Sequence, residues 1–163
     1  MRTTDTHVYF YGQSDRYSNW NNCHLTDPIT GMYFHNTEQA FMWQKANFFR
    51  DNKITQLAGT ETNPREVKKL GRMVAKYDDK LWTTVKFGYM VYVNYLKFKQ
   101  NAYDGLVLIT TGNKILVEAS PYDCIWGVGL GQDDDLILDE KNWKGQNLLG
   151  KALMEVRNIL KTN

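Results

Sequence analysis

The chain of 163 residues is long enough to bury one hydrophobic core and short for two, so we expect one compact domain over residues 1–163. Hydrophobic residues make up 42% and charged residues 23%, as in soluble globular proteins, and no apolar run approaches the ~20 residues that a membrane span requires. The formal net charge of +2 is too small to act as an electrostatic footprint for non-specific nucleic-acid binding.

The N-terminal stretch, the cysteines and the absence of known motifs predict the cellular compartment and whether the protein holds a metal or a cofactor. The polar stretch from Met1 to His7 carries no apolar segment with a small-residue cleavage site, so we expect a cytoplasmic protein. Cys23 and Cys124 stand far apart, with no histidine at metal-ligand spacing from either, which predicts two buried thiols and no structural metal. Walker, nucleophile-elbow, zincin and dinucleotide-binding motifs are absent from the sequence, so we expect no cofactor.

Caps and periodicity predict the elements in chain order. Val8 to Tyr11 is typical of a short strand, and Asp27, Pro28 and Gly31 mark a turn that leads into a hairpin at Met32 to Phe34. The predicted helices run from the Asn36 cap to about Arg50, from the Asn63 cap to a stop at Gly71, from the Asp78 cap to about Gln100, over Leu106–Thr110 and over Asn147–Leu160. Lys114 to Ala119 completes the set as a strand. This order predicts a mainly α fold, a compact helical domain with a few short β-strands.

One helix carries a candidate catalytic pair. Glu38 follows the Asn36 cap in the first turn, and Lys45 lies seven residues further on, so both side chains share one face of the helix. Such a face can present an acid and an amine to one ligand. The competing interpretation is an ordinary surface helix on which both charges are solvated.

A second candidate lies in the loop after the predicted strand. Gly127, Gly129 and Gly131 stand at every second position beside Trp126, and glycines allow a backbone to approach a ligand closely. A plain turn with a core tryptophan explains the pattern equally well. The acidic run Asp133 to Asp135 resembles a metal-binding cluster, but adjacent carboxylates in a loop are usually solvated, so we expect no metal site.

Taken together, several motifs in a fixed order resemble the signature of the NADAR family, also called YbiA-like, over about Phe10 to Leu160. The motifs are Ser18-Asn19-Trp20, Glu38-Gln39-x-x-Met42-x-x-Lys45-Ala46, Lys68-x-Leu70-Gly71-Arg72, Trp82, Lys97-Phe98, Glu118-Ala119-Ser120-x-x-Asp123-x-x-Trp126-Gly127 and Trp143-x-Gly145-Gln146-Asn147-Leu148-Leu149-Gly150-x-x-Leu153-Met154-Glu155-Val156-Arg157. Trp20 stands where the family more often has phenylalanine, which keeps an aromatic ring at that position.

The resemblance implies an N-glycosidase with a small nucleotide-like substrate or ADP-ribosylated nucleic acid as its partner and no membrane. Two activities are implied: removal of ADP-ribose from guanine, and hydrolysis of phosphorylated ribosylamino intermediates of riboflavin synthesis. We expect the first, because the long Gln132–Lys144 segment, with Trp143 near its end, offers extra wall for a large ligand. Lys45, Lys68, Lys69 and Arg72 supply enough positive charge for two phosphates if they converge.

The chemistry of the reaction suggests roles for these residues. Breaking a ribose C1–N bond passes through an oxocarbenium-like state, which a carboxylate such as Glu38 stabilises. Lys45 could instead form a Schiff base with ring-opened ribose or hold a phosphate. The predicted site consists of Glu38, Lys45 and Asp123 as catalytic residues and Asn19, Trp20, Lys68, Arg72, Trp82, Trp126, Gly127 and Gly129 as substrate contacts.

Two readings from other classes compete with the enzyme. A non-catalytic module that binds ADP-ribose would keep Trp126, the glycines and the basic residues without needing Glu38. A helical adaptor would need none of these and would expose a large apolar patch.

Overall fold

The computed structural model describes residues 1–162 and confirms a mainly α architecture, with six helices and five short strands in that range. The strands are β1 (Arg2–Thr3), β2 (His7–Phe10), β3 (Leu25–Thr26), β4 (Tyr33–Phe34) and β5 (Ile115–Glu118). The helices are α1 (Thr37–Phe48), α2 (Asn52–Thr60), α3 (Pro64–Arg72), α4 (Asp79–Gln100), α5 (Ala102–Thr110) and α6 (Leu148–Thr162). Two compact units divide the chain: one combines Met1–Asn21 with the chain from Tyr103 onward, and the other is Asn22–Ala102. The expected single domain over residues 1–163 stays a prediction.

The first unit is built on a three-stranded sheet. Its central strand β2 pairs antiparallel with β1 and parallel with β5, with His7 opposite Ile115. All four residues of β2 are buried, as expected of a strand covered on both faces. Helix α6 packs against β5, and Gly150 permits this approach because a Cβ there would lie 2.0 Å from the Leu116 carbonyl oxygen.

The second unit is built around α1, which packs against α2, α3 and α4. The predicted hairpin is present as β3 and β4, with Leu25 opposite Phe34. The caps at Asn36, Asn63 and Asp78 act as predicted, since each side chain accepts a hydrogen bond from a backbone N–H of the first turn.

Three details differ from the sequence-based expectations. Gly71 does not end a helix but lies buried within α3, where its missing side chain makes room for Met42 of α1. Helix α2, capped by Asp51, was not predicted; it is short and carries few periodic apolar residues. Cys23 is buried as expected, whereas Cys124 is exposed because it lies in a surface turn.

The predicted helix at Leu106–Thr110 is confirmed as part of α5, and the predicted strand at Lys114–Ala119 is confirmed as β5. None of the helices within residues 1–162 combines the length and the apolar character that crossing a membrane requires.

Candidate active site

Glu38 is held in the first turn of α1 by its two neighbours. The Asn36 side chain accepts a hydrogen bond from the Gln39 N–H at 2.8 Å and donates one to the Thr62 carbonyl at 3.0 Å. The Gln39 side chain in turn donates to the Ala58 carbonyl at 3.1 Å. Glu38 itself is buried, with only 6% of its surface exposed. The competing interpretation, a solvated carboxylate on a surface helix, is therefore wrong for Glu38, which is buried.

Lys45, further along α1, is half-buried, and its ammonium contacts two other residues. Its ammonium Nζ donates a hydrogen bond to the Gly71 carbonyl at 2.7 Å and lies 4.1 Å from the centre of the Tyr77 ring. Burial lowers the pKa of Lys45, while the negative charge of Asp79 acts in the opposite direction. The amine is thus closer to neutrality than that of a surface lysine.

The α1 face that carries this pair is turned toward α3. A Cβ on Gly71 would lie 1.9 Å from Met42 Sδ, and Lys45 contacts the Gly71 carbonyl, so α1 and α3 touch along this face. Glu38 lies four residues before Met42 and therefore on the same side of α1. The structure thus places both predicted catalytic residues of this unit on one helix–helix face.

Two basic residues lie close in sequence to Gly71, the residue of α3 that contacts α1. Lys68 and Arg72 stand four residues apart on α3, one half-buried and the other exposed. Lys69 differs, because its ammonium pairs with the Glu66 carboxylate at 2.8 Å. The predicted contacts of Lys68 and Arg72 with phosphate stay predictions, while the positive charge of Lys69 is partly neutralised by Glu66.

Trp82 is buried among the aromatic side chains of its own unit. It is 5% exposed, and its ring contacts Phe41, Phe48 and Phe49 and stacks on Tyr89 at 5.6 Å between centroids. These contacts make Trp82 a member of an aromatic cluster that joins α1 to α4. Its predicted contact with substrate stays a prediction.

In the other unit, Asp123 organises the turn that carries Trp126. Its Oδ1 accepts hydrogen bonds from the Ile125 N–H at 2.9 Å and the Trp126 N–H at 2.8 Å. Trp126 is half-buried, so part of its indole reaches the surface. Asp123 therefore positions the backbone of Trp126.

The same turn is fastened to the start of α6. Four consecutive backbone N–H groups, those of residues 146 to 149, donate hydrogen bonds to carbonyl oxygens of the turn. These oxygens belong to Cys124, Ile125, Trp126 and Gly127. These are the N–H groups that a helix start leaves without partners in the helix itself. The turn thereby replaces a side-chain cap and is held rigidly.

Asn147 secures this junction and was assigned no role from sequence. Its side chain accepts from the Glu118 N–H at 3.0 Å and donates to the Leu116 carbonyl at 2.9 Å, as a neighbouring strand would. Its backbone has φ 53°, which asparagine tolerates better than most residues. The motif around Gly145 to Asn147 was the available signal, but sequence spacing does not reveal a side chain that pairs with a strand.

The glycines of the loop are explained by contacts within the unit. A Cβ on Gly127 would lie 2.8 Å from the Asp123 carbonyl oxygen and 2.9 Å from that of Glu118, and one on Gly129 would lie 3.0 Å from both Cys124 Sγ and Lys144 Cβ. Gly129 also has φ +71°. Both glycines shape the turn, and their predicted contact with substrate stays a prediction.

We expect Gly145→Ala to lower the free energy of unfolding by roughly 2 kcal/mol, because a Cβ there would lie 2.2 Å from the Gly127 carbonyl oxygen and 2.7 Å from Cys124 Cα. Both obstacles are backbone atoms of the turn, which cannot rotate away. Urea unfolding measures the loss. Gly131→Ala is the matched control, since nothing lies within 4 Å of the added Cβ. Equal stability of the two variants would contradict the assigned packing of the turn.

Asn19 and Trp20 lie near the end of the first segment of the same unit. Asn19 is buried, and Trp20 is half-buried with its N–H donated to Ser18 Oγ at 3.1 Å. Trp20 is therefore partly accessible, and the predicted contacts of Asn19 and Trp20 with substrate stay predictions.

The long Gln132–Lys144 segment folds onto the core of its own unit. It forms two 3₁₀ turns, Asp135–Leu138 and Glu140–Asn142; Ile137 is fully buried, and the Trp143 indole N–H donates to the Ile137 carbonyl at 2.8 Å. Trp143 packs against the core cluster of this unit. The expectation that Trp143 forms extra wall for a ligand is not supported.

The acidic run in this segment has structural partners. Asp134 accepts from the Leu136 N–H at 3.0 Å, and Asp135 pairs with Arg2 at 3.0 Å. Over residues 1–162 no three side chains of the types His, Cys, Asp and Glu cluster as metal ligands. That the reaction needs no metal stays a prediction.

Comparison with known proteins places the chain in a family. The NADAR domain model matches residues 9–161. An N-glycosidase of Acanthamoeba polyphaga mimivirus is 35% identical, with 94% of this chain and 96% of the relative covered, and bacterial relatives bear the same enzyme name. The NMR structure of the E. coli protein YbiA superposes with a TM-score of 0.78 at 29% identity, with 99% of this chain and 88% of that chain covered.

A shorter similarity involves a chloroplastic riboflavin biosynthesis protein of Zea mays, 30% identical over 108 residues, with 64% of this chain and 16% of that protein covered. The nearly full-length matches determine the assignment. The chain belongs to the NADAR family, as its motifs predicted, and is an N-glycosidase.

Proposed function

We propose that this enzyme hydrolyses the bond between ribose C1 and a guanine nitrogen, releasing ADP-ribose from modified guanine in a nucleoside or a nucleic acid. One observation carries the proposal: Glu38 is buried in the first turn of α1, a helix that packs against α3, which carries Lys68 and Arg72. A buried carboxylate on a helix that packs against a basic helix suits a substrate that is anionic overall and becomes positive at one carbon.

The reaction needs no redox partner. Water oxygen forms the new bond to C1, the C1–N bond breaks, and the base leaves with the bonding electrons and gains a proton. Positive charge develops at C1 and the ring oxygen, where the ionised carboxylate of Glu38 stabilises it or takes a proton from the attacking water.

The basic residues are assigned to the two phosphates of ADP-ribose. Lys68 and Arg72 lie one helical turn apart on α3, and a guanidinium such as that of Arg72 can bind phosphate oxygens in pairs. Lys45 has a different environment, because burial lowers its pKa and so increases its neutral fraction. A neutral amine could attack C1 before water does: Lys45 Nζ bonds to C1 as the base leaves with the C1–N electrons and a proton, and the ribose ring opens to a Schiff base. Water then hydrolyses the Schiff base, which releases ADP-ribose and restores the amine, so the lowered pKa favours this role for Lys45 over phosphate binding.

Asp123 and Trp126 lie in the other unit, where Trp126 keeps its predicted contact with substrate. The half-exposed indole of Trp126 offers a flat surface for a base, and the turn that Asp123 organises keeps that surface in one orientation. Asp123 thus positions Trp126, in addition to its predicted catalytic role.

A ribosylamino pyrimidine phosphate of riboflavin synthesis is the second candidate substrate, favoured by the similarity to the Zea mays protein. Because Trp143 packs on the core, segment length no longer argues against this smaller substrate. The preference for ADP-ribosylated guanine therefore rests on the cations of α3.

The deciding experiment compares kcat/KM on ADP-ribosylated guanosine and on the ribosylamino pyrimidine phosphate at one salt concentration. We expect the first to be preferred by tenfold or more, about 1.4 kcal/mol of transition-state discrimination. A tenfold preference for the pyrimidine phosphate would reverse the substrate assignment and leave the N-glycosidase assignment in place. Binding of ADP-ribose with no turnover of either substrate would favour the non-catalytic module.

A further inference from the structure

The Lys45 ammonium is contacted by two residues of its own unit. Its Nζ donates a hydrogen bond to the Gly71 carbonyl at 2.7 Å and lies over the Tyr77 ring, 4.1 Å from the ring centre. Within residues 1–162 Lys45 forms no ion pair. The negative face of the tyrosine ring is therefore the contact that stands where a carboxylate would otherwise pair with the amine.

Tyr77 is itself held, although its side chain is 43% exposed. Its hydroxyl donates a hydrogen bond to the Asp79 carboxylate at 2.7 Å. Its ring meets the Phe49 ring edge-on, with 5.4 Å between the centroids. These two contacts, at opposite ends of the side chain, hold the ring with its face toward Lys45.

The connection between α3 and α4 that presents Tyr77 is anchored as well. The Ala75 N–H donates a hydrogen bond to the Asp51 carboxylate at 2.7 Å. Lys76 has φ 57°, a left-handed conformation that a lysine keeps only where the surrounding contacts hold it. On the other side of Tyr77, Asp78 caps α4. Tyr77 therefore occupies a defined position beside the Lys45 amine.

We propose that Tyr77 is a positioning residue for the reaction: its ring, held by Asp79, keeps the Lys45 amine oriented for attack on ribose C1. The proposal rests on the proposed function and deepens it, because it names the residues that prepare this amine. All the residues that it uses lie in one unit of the chain. An amine on a flexible side chain gains most from such a contact, since attack requires one orientation of its lone pair.

Asp79 also acts on the protonation of the amine. Burial lowers the pKa of Lys45 and the charge of Asp79 opposes it, while within residues 1–162 the charged side chains of α2 and α3 add no further effect. Burial and the hydrogen bond to Asp79 raise the pKa of Tyr77 to about 12, so the tyrosine stays a donor while Lys45 titrates. Asp79→Asn keeps an acceptor for this hydroxyl and removes the charge, so it should lower the pKa of Lys45 further.

The test uses the full chain and two readouts. One is kcat and KM on ADP-ribosylated guanosine as a function of pH; the other is the pKa of Lys45 without substrate, from the carbon-13 NMR signal of its ε-carbon, assigned with Lys45→Arg. We expect Asp79→Asn to move the rise of the kcat/KM profile and the NMR pKa together toward acid by about half a pH unit.

Variants of Tyr77 test the orientation of the amine. We expect Tyr77→Leu to lower kcat about tenfold with KM within about twofold, and Tyr77→Phe, which keeps the ring, to retain kcat within about twofold. Tyr95→Leu is the matched control, because Tyr95 is a tyrosine of α4 whose ring centre lies 5.2 Å from another ammonium, that of Lys99. It should leave both readouts unchanged.

The outcomes separate the two proposals. If wild type is active and Tyr77→Leu keeps its kcat, or Asp79→Asn moves neither readout, the positioning role is wrong while the proposed function stands. An NMR pKa that falls while the pH profile stays would also overturn it, since the reaction would then not use this amine. Asp79→Asn decides if Tyr77→Leu fails to fold. If wild type cleaves neither ADP-ribosylated guanosine nor the ribosylamino pyrimidine phosphate, the proposed function fails and the positioning role with it.

Discussion

Glu38→Gln is expected to lower kcat about a hundredfold or more, roughly 2.7 kcal/mol of transition-state stabilisation, with little change in stability. The glutamine keeps the shape of the side chain at the start of α1 and removes the charge that the oxocarbenium-like state needs. Because the caps at Asn36 and Gln39 do not involve the Glu38 carboxylate, the helix start is preserved. Steady-state kinetics together with the thermal unfolding midpoint provide the measurement.

The matched control is Glu155→Gln, which makes the same change at an exposed glutamate of α6 and should retain full activity. Turnover of Glu38→Gln within about threefold of wild type, with an unchanged unfolding midpoint, would show that Glu38 is not the essential carboxylate. A large loss of stability in the variant would instead assign Glu38 to the fold.

The second large effect concerns Asp27, a carboxylate that is 1% exposed at the end of β3. It accepts hydrogen bonds from the Tyr92 hydroxyl at 2.7 Å, from the Gln44 amide at 3.1 Å and from the Ile29 N–H at 2.9 Å, and so ties the hairpin to α1 and α4. Asp27→Ala leaves these donors without an acceptor, so we expect the free energy of unfolding to fall by about 3 kcal/mol or more. Urea unfolding at pH 7 measures it.

The effect should depend on pH in a defined direction. Burial raises the pKa of Asp27, but hydrogen bonds from Tyr92, Ile29 and Thr30 together outweigh burial and hold the pKa below its usual value. The carboxylate therefore contributes its full stability above the unfolded-state pKa of about 3.9, and this contribution is lost as the pH falls through the lower folded-state pKa. The stability difference between wild type and Asp27→Asn should shrink accordingly below about pH 4.

Asp133→Ala is the control for both measurements, because Asp133 is exposed and accepts no hydrogen bond within residues 1–162. A loss below about 1 kcal/mol for Asp27→Ala at pH 7 would contradict the role of Asp27 as the link between the hairpin and the two helices. A stability difference that grows toward acid pH would contradict the lowered pKa.

Most helices could be predicted from the sequence because their capping residues lie within a few positions of the helix start. Side chains such as Asn36 and Asp78 cap the helices that follow them, because an N-cap acts within three residues and so appears directly in the sequence. The same holds for the Asp27 turn and its hairpin. Family motifs extended this local knowledge to the activity class.

What could not be predicted depends on contacts between distant residues. Gly71 looks like a helix stop, and only the position of Met42 reveals that it makes room for α1. From the sequence, Trp143 was expected to line a ligand site. Only the hydrogen bond from its indole N–H to the Ile137 carbonyl shows that it lies on the core. Burial of Glu38 was equally out of reach, since a glutamate in a first helical turn is usually solvated.

The central claim is that the chain breaks a base–ribose bond, and direct detection of the two products tests it most simply. Purified protein is incubated with ADP-ribosylated guanosine, and the products are separated by chromatography and identified by mass, with Glu38→Gln in parallel. We predict equal amounts of guanosine and ADP-ribose with wild type, and at least a hundredfold less of each with the variant at equal time. Unchanged substrate with wild type, when both this nucleoside and the ribosylamino pyrimidine phosphate are offered, would contradict the account.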